Sequence, residues 1–151
     1  MAKSKNERLV TQSLIDRLTD FEDWPTTRSA SLRMYREGIK RDVEWLLNSR
    51  RAFVTAVDKY DLASVSVFNF GLPDMTSIRG NDPNAVLSAI LQALRTYEPR
   101  IRSPRVHLVR SDTLARSLRF HVDGMLMFED GEEDISFDTV LEIISGEYEV
   151  K

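Results

Sequence analysis

The segment from residue 118 to residue 128 reads LRFHVDGMLMF. Apolar side chains and one glycine fill every second position from 118 to 128, which is the period of a β-strand with one face in a core. The six residues on that face are Leu118, Phe120, Val122, Gly124, Leu126 and Phe128. Asp130-Gly131 follows directly and is a strong hairpin signal. The segment therefore predicts a long strand that turns into an antiparallel partner.

The sequence on both sides extends this strand into a meander. Upstream, after Pro104, Val106 and Leu108 alternate with charged residues. Downstream, a second alternating set provides the returning face, and Gly146 allows a turn into a last short strand; these residues are Ile135, Phe137, Leu141, Ile143, Tyr148 and Val150. The second half of the chain is predicted to be an antiparallel β-meander.

Two amphipathic helices are predicted before the meander. The first follows a cap at Ser29 or Ser31, and the second begins at Asp82-Pro83, where proline suits the first helical position. Their apolar residues recur at helical spacing: Leu32, Tyr35, Ile39, Val43 and Leu46, then Val86, Leu87, Ile90, Leu91 and Leu94. Trp45 is expected to pack in the core. Helices followed by strands predict an α+β fold, with N-terminal helices packed on a C-terminal antiparallel β-meander.

The length of 151 residues is typical of one domain. Residues 1–28 are predicted to be a flexible N-terminal segment with a short amphipathic helix, formed by Val10, Leu14, Leu18 and Phe21. A break around Trp24-Pro25 leaves this helix able to dock elsewhere than on the main core. Residues 29–151 are predicted to form the single α+β domain.

Composition excludes several classes of protein. Cysteine is absent and only two histidines are present, which argues against zinc fingers, thiol catalysis and iron–sulfur chemistry. The longest unbroken apolar run is residues 125–128, far short of the roughly 20 residues that span a bilayer. We therefore expect a soluble, cytoplasmic protein with no metal, no cofactor and no membrane insertion.

Charge is distributed unevenly along the chain. The formal net charge is −3, but residues 120–151 carry ten carboxylates and one lysine, a charge of −9 that leaves +6 for the rest. Sixteen of the 21 basic residues are arginine, which favours planar contacts with carboxylates or phosphates. A basic body with an acidic end suggests an assembly component with two unlike faces, although a solvated surface with uneven charge would give the same pattern.

No catalytic site emerges from the residues. The glycines form no phosphate-binding loop, and His107 and His121 fall opposite the core register of their strands, as surface histidines do. Glu98 is the best-placed candidate for a general acid, but Arg100 beside it favours the ionised carboxylate, which is the wrong form for that role. The carboxylates around Asp130 fall at a predicted hairpin tip, where water keeps them charged. We therefore predict no catalytic residue.

Four segments in a fixed order carry a resemblance to a known family. Residues 41–50 read RDVEWLLNSR, residues 67–74 read VFNFGLPD, residues 98–100 read EPR, and residues 137–139 read FDT. This set resembles the TssE family, baseplate subunits of bacterial type VI secretion systems that are related to the lysozyme-like wedge protein of contractile phages. The resemblance extends from about Leu9 to Val150. Phe70 departs from it, because the family commonly has tyrosine there.

The resemblance implies a fold, a location and partners. The fold would be related to the interlocking domain of contractile sheath proteins. The protein would be cytoplasmic, in a baseplate assembled at the inner membrane, and would bind the baseplate subunits TssF and TssG, with TssK as a further candidate partner. It would also present a surface from which the TssB–TssC sheath polymerises. The motif residues in this chain are Asn69, Gly71, Leu72, Pro73 and Asp74, and the residues assigned to the wedge contact are Glu98, Pro99 and Arg100.

An exposed edge of the meander offers a mechanism for the sheath contact, because it can accept a strand of another chain through main-chain hydrogen bonds. The residues assigned to this interface are Ile135, Phe137, Thr139, Leu141, Glu147 and Glu149. Nine carboxylates between Glu129 and Glu149 would discourage indiscriminate edge pairing and select a basic partner strand.

Three alternatives stay open at this point. Glu98 and Arg100 could pair with each other and stabilise the fold instead of meeting a partner. The lysozyme-like relationship suggests a peptidoglycan hydrolase as a rival function. Nucleic-acid binding through the arginines between Arg95 and Arg119 is disfavoured, because aromatic stacking residues other than Tyr97 are missing among them and the acidic end would repel phosphates.

Overall fold

The computed structural model describes residues 8–19, 24–51, 67–73, 82–112, 117–129, 131–142 and 147–150. Within these ranges the chain forms three α-helices and a four-stranded sheet. The helices are α1 (Leu14–Thr19), α2 (Arg28–Asn48) and α3 (Pro83–Tyr97), with a 3-10 turn at Val67–Asn69. The strands are β1 (Ile101–Asp112), β2 (Ser117–Phe128), β3 (Gly131–Glu142) and β4 (Tyr148–Val150). The predicted α+β arrangement is confirmed.

The sheet has the order β1-β2-β3-β4, and each neighbouring pair is antiparallel. Strands β2 and β3 pair so that the apolar residues of the two alternating patterns face each other. Leu118 lies opposite Leu141, and Val122 lies opposite Phe137. The residues of β2 and β3 that are buried on the core face are Leu118, Phe120, Val122, Leu126, Ile135, Phe137, Thr139 and Leu141. Pairing continues to Phe128 and Gly131. Asp130 and Gly146 of the predicted turns and Ile143 of the predicted returning face lie outside the described residues.

Helix α2 begins two to four residues earlier than its sequence suggested. Thr27 is the N-cap, and its hydroxyl accepts a hydrogen bond from the Ala30 backbone N–H. The predicted caps at Ser29 and Ser31 are wrong, because both residues lie within the helix. The Ser31 hydroxyl is buried and accepts a hydrogen bond from the Val10 backbone N–H instead. Thr27 has the extended backbone that a cap requires.

Trp45 does not belong to the core, contrary to the sequence prediction. Its side chain is 49% exposed, and the Arg41 guanidinium lies 5.2 Å from the centre of its ring. The core face of α2 is formed instead by Tyr35, Ile39, Val43, Leu46 and Leu47. Indole is amphipathic and tolerates a surface position under a cation, so helical periodicity alone could not assign its face.

Helix α3 follows the sequence prediction closely. The Asp82 carboxylate accepts a hydrogen bond from the Asn84 N–H, and Pro83 is the first helical residue. Val86, Ile90 and Leu94 are buried. The helix runs directly into β1 through residues 98–100.

The N-terminal segment contacts α2 through polar groups. Val10 and Gln12 are buried against α2, and the Gln12 amide donates to the Ser31 carbonyl. Leu14 and Leu18, by contrast, are 68% and 61% exposed. The short predicted helix therefore forms, but its apolar stripe faces away from the core. Phe21, which was expected to extend that stripe, lies outside the described residues.

None of the described helices combines the length and the apolarity needed to cross a bilayer.

Candidate interaction site

Residues 98–100 form the turn between α3 and β1, and an ion pair fills its interior. The Arg100 Nε donates to Glu98 Oε1 and its Nη2 to Oε2, both at 2.6 Å, so the guanidinium grips the carboxylate with two parallel hydrogen bonds. Glu98 is only 4% exposed. Its backbone N–H closes the last turn of α3 by donating to the Leu94 carbonyl.

The same guanidinium reaches helix α2. Arg100 Nη2 also donates to Asp42 Oδ2 at 2.7 Å, which ties the α3–β1 turn to the middle of the longest helix. Burial alone would lower the pKa of Arg100, but the hydrogen bonds and charges of Glu98 and Asp42 outweigh it and raise that pKa above its ordinary value. Arg100 is therefore a permanent cation held by two carboxylates.

The backbone of Arg100 is held as firmly as its side chain. Its carbonyl accepts a hydrogen bond from the Met127 N–H, and the Met127 carbonyl accepts one from the Tyr35 hydroxyl. The Arg100 guanidinium lies 6.0 Å from the Tyr35 ring centre. Helix α2, the turn and β2 thus converge on one arginine.

A second ion pair continues the network to the N-terminal segment. Arg41 lies 2.6 Å from Asp16 and 3.3 Å from Asp42, and the Ser13 hydroxyl donates to Asp16. Burial would raise the pKa of Asp16, but the hydrogen bonds from Arg41 and Ser13 bring it below the ordinary value. Gly38 allows α1 to approach α2, since a Cβ there would lie 2.9 Å from an Asp16 oxygen.

The structure therefore turns two of the three predicted wedge-contact side chains inward. Glu98 and Arg100 pair with each other, as in the alternative left open by the sequence, while Pro99 between them is exposed. Alanine at Glu98 or Arg100 would perturb the fold as well as any contact, so these substitutions cannot isolate an interface. The role of this turn at a wedge contact stays a prediction.

A basic groove lies beside the exposed proline. It has a volume of about 570 Å³ and is lined by Arg95, Pro99, Ile101, Ser103, Pro104 and Arg105. The pairing of β1 with β2 is irregular between Arg102 and Arg105, and Ser103 has a positive φ of 50°, which is uncommon for a residue with a side chain. Arg95 and Arg105 lie ten residues apart in the sequence and come together only at this groove.

An acidic groove lies at the opposite edge of the sheet. Its volume is about 460 Å³, and its lining residues are Glu44, Asn48, Arg50, Val140, Glu147, Tyr148 and Glu149. The Asn48 side chain holds β4 against the end of α2. Its amide nitrogen donates a hydrogen bond to the Tyr148 carbonyl, and its amide oxygen accepts one from the Tyr148 N–H, both at 2.8 Å. Burial raises the pKa of Tyr148 to about 12.

The residues assigned to the sheath contact fall into two groups. Ile135, Phe137, Thr139 and Leu141 are buried in the core on β3, an inner strand that pairs with β2 and, at Thr139 and Leu141, also with β4. Glu147 and Glu149 are exposed in the acidic groove, and both take part in interactions within the chain. The assignment of these six residues to a sheath contact remains a prediction.

The motif before α3 joins the end of α2. The Leu72 N–H donates to the Ser49 carbonyl, and the Arg51 N–H donates to the Leu72 carbonyl. Gly71 has a φ of +102°, and a Cβ there would lie 2.3 Å from the Ser49 oxygen, so only glycine fits. Leu72 is fully buried, whereas Asn69 and Pro73 are half-buried and Asp74 lies outside the described residues. The Phe70 ring packs edge-on against Tyr97, with ring centres 5.3 Å apart.

The histidines lie on the outer face of the sheet, as predicted. His121 Nδ1 is 2.7 Å from Asp138 and its Nε2 is 3.1 Å from Asp123. The hydrogen bond to Asp138, with the charge of both carboxylates, outweighs partial burial and raises the pKa of His121. The interaction of protonated His121 with its two carboxylates therefore stabilises the fold fully below the ordinary histidine pKa of about 6.5. This stabilisation is lost as the pH rises through the raised pKa of His121. Among the described residues no three acidic or histidine side chains are grouped so that they could hold a metal ion.

The family model described as baseplate wedge protein gp25 matches residues 33–130. The matched range contains most of α2, the Gly71 motif, α3, the turn at residues 98–100 and the β1–β2 pair. This confirms the resemblance inferred from the sequence, because TssE is the type VI secretion homologue of that phage protein. No curated protein and no solved structure matches the chain significantly.

Neutralising Glu98 should destabilise the fold. In Glu98→Gln the side chain keeps its size, but Arg100 loses a charged acceptor in a buried position, so we expect the free energy of unfolding to fall by about 2 kcal/mol. Urea denaturation followed by circular dichroism measures this loss. Glu37→Gln, an exposed change on α2, should stay within about 0.5 kcal/mol of the wild type. Equal stability of Glu98→Gln and the wild type would contradict the structural role of the ion pair.

Proposed function

The chain belongs to the baseplate wedge protein gp25 family, and from this premise we propose that it is a structural baseplate subunit of a type VI secretion system. In this proposal it binds the TssF–TssG wedge core on one side and seeds the TssB–TssC sheath on another. The observation that carries the proposal is the family match, which covers most of α2, all of α3 and the β1–β2 pair. We place the protein in the cytoplasm, within a baseplate assembled at the inner membrane.

The proposed wedge contact is the turn at residues 98–100 and the basic groove beside it. Glu98, Arg100 and Asp42 satisfy one another, so the turn needs no partner to be ordered. A pre-ordered turn presents Pro99 and the groove in a fixed position, which reduces the entropy lost on binding. TssF and TssG are the proposed ligands of this surface, and TssK is a further candidate.

The proposed sheath contact uses the edges of the sheet. β1 is the outermost strand on one side and β4 on the other. A partner strand can add to such an edge by main-chain hydrogen bonds. Phe137 and Thr139 lie on the inner strand β3, so in this proposal they support the edge strands from within the sheet. β4 is only three residues long, and Asn48 already occupies the outward backbone groups of Tyr148. We therefore assign to the acidic groove the selection of a basic sheath segment, and to the longer β1 edge the main-chain pairing.

Membership of a baseplate wedge family supports a structural role without enzymatic activity. The alternative function is that of a peptidoglycan hydrolase. A glycosidase acid must donate a proton to the departing sugar oxygen. Both carboxylate oxygens of Glu98 instead accept hydrogen bonds from Arg100, and its side chain is buried. The geometry offers this candidate acid no access to a sugar.

Binding and hydrolysis can be tested on the same purified chain. We expect the full chain to co-purify with co-expressed TssF–TssG and to leave the turbidity of a peptidoglycan suspension at the buffer rate. Lysozyme is the positive control for turbidity, and tagged TssF–TssG expressed without this chain is the background control for co-purification. Clearing of the suspension above the buffer rate by the wild-type chain would support the hydrolase instead. Absence of TssF–TssG from the purified sample would contradict the wedge role.

Charge reversal tests the acidic groove. We expect Glu147→Lys/Glu149→Lys to reduce the number of fluorescent TssB sheaths per cell severalfold, because like charges across an interface repel. The matched control is Glu132→Lys/Asp134→Lys, which makes the same charge change at the other end of β3. Both variants are first checked for wild-type thermal unfolding. Normal sheath numbers in the groove variant would show that these carboxylates do not select the sheath.

A further inference from the structure

The basic groove beside Pro99 has the features of a built recognition site. Its volume of about 570 Å³ accommodates several side chains of a partner. Arg95 approaches from the last turn of α3 and Arg105 from β1, and both are exposed. Among the described residues that line the groove none carries a carboxylate, so its charge is not neutralised from within.

The strand irregularity explains why Arg105 is available. β1 and β2 pair with a register shift between Arg102 and Arg105, where Ser103 takes its positive φ and Pro104 is buried. Irregularities of this kind re-aim side chains at the margin of a sheet. The carboxylate opposite Arg105 on β2 is Asp123, but its oxygen is hydrogen-bonded to His121. Local structure thus supplies Asp123 with another partner and leaves Arg105 at the groove.

The ion cluster behind the groove sets its position. Arg100 is fixed by Glu98 and Asp42, so Pro99 is carried on a turn whose two neighbours are both anchored. Pro99 is therefore held in place, while the two arginines at the rim of the groove are exposed. Each exposed guanidinium can bind a carboxylate with two parallel hydrogen bonds, so the groove suits a ligand that carries carboxylates.

We propose that this groove binds an acidic, extended segment of a partner protein, and that Arg95 and Arg105 recognise its carboxylates while Pro99 forms the floor. The inference rests on the proposed wedge role and deepens it, because it names the chemistry of the segment that meets this face. Ile101 and two prolines make the floor apolar, which suits a peptide. The described lining has no aromatic side chain on which a nucleic-acid base could stack.

The first test uses a labelled hexaglutamate peptide and the full chain. Fluorescence anisotropy should show salt-sensitive binding by the wild type, and Arg95→Glu/Arg105→Glu should weaken it by about tenfold or more because like charges across an interface are strongly unfavourable. The control Arg33→Glu/Arg119→Glu makes the same charge change at exposed positions away from the groove and should stay within about twofold of the wild type. Equal losses in both variants would reduce the effect to net charge and overturn the proposal, as would absence of binding by the wild type.

Two additions keep this test decisive. Arg95→Gln/Arg105→Gln removes the charges without repulsion, and thermal unfolding at the wild-type temperature excludes misfolding as the cause of a loss. A labelled hexathymidylate strand probes the rival ligand class. If the oligonucleotide binds more tightly than hexaglutamate and depends on the same arginines, the protein-segment assignment is wrong.

The second test separates this inference from the proposed function. Co-purification with TssF–TssG is measured for the wild type, the groove variant and the control variant. Loss in the groove variant alone supports the inference. Wild-type binding that the groove variant retains would overturn the groove while leaving the wedge role intact. A wild type that fails to bind TssF–TssG but binds hexaglutamate through Arg95 and Arg105 would contradict the wedge role instead.

Discussion

The structure depends on a single guanidinium that three elements share. Arg100 starts the turn into β1, grips Glu98 at the end of α3 and reaches Asp42 on α2. Removing one partner of such a cluster leaves a buried charge uncompensated, which costs more than the pair contributes when intact. The arrangement therefore acts as a geometric constraint more than as a source of stability. It fixes how the helical layer meets the sheet, and thereby where the surface of the turn lies.

The folded chain carries two surfaces of opposite charge. The basic groove adjoins β1 and the acidic groove adjoins β4, which are the two outer strands of the sheet. The charge asymmetry of the sequence is thus also a spatial asymmetry. A component that must meet two different neighbours benefits from it, because electrostatic complementarity governs orientation and partner choice more than raw affinity.

The sequence was most informative where one physical rule acts alone. Alternation along residues 118–128 predicted which face of β2 is buried, because side chains alternate between the two faces of a strand. Asp82-Pro83 predicted the start of α3, because proline fits the backbone of the first helical position. It was wrong for Trp45 and for the cap of α2, where a cation under an indole and a competing hydrogen bond to Val10 decide the outcome. The internal pairing of Glu98 was foreseen only as an alternative, since spacing within a tripeptide does not reveal the third partner on α2. The basic groove was missed because Arg95 and Arg105 meet only in three dimensions.

The turn at residues 98–100 is held by the ion pairs of Arg100 with Glu98 and Asp42, and it offers its outer surface to a partner. Hydrogen–deuterium exchange of the full chain, alone and bound to TssF–TssG, tests it most directly. The account predicts slow exchange of the Glu98 and Ile101 amides already in the free chain, and added protection on binding that is centred on residues 95–105. Fast exchange of those amides in the free chain, or protection confined to α1 or β4, would contradict it.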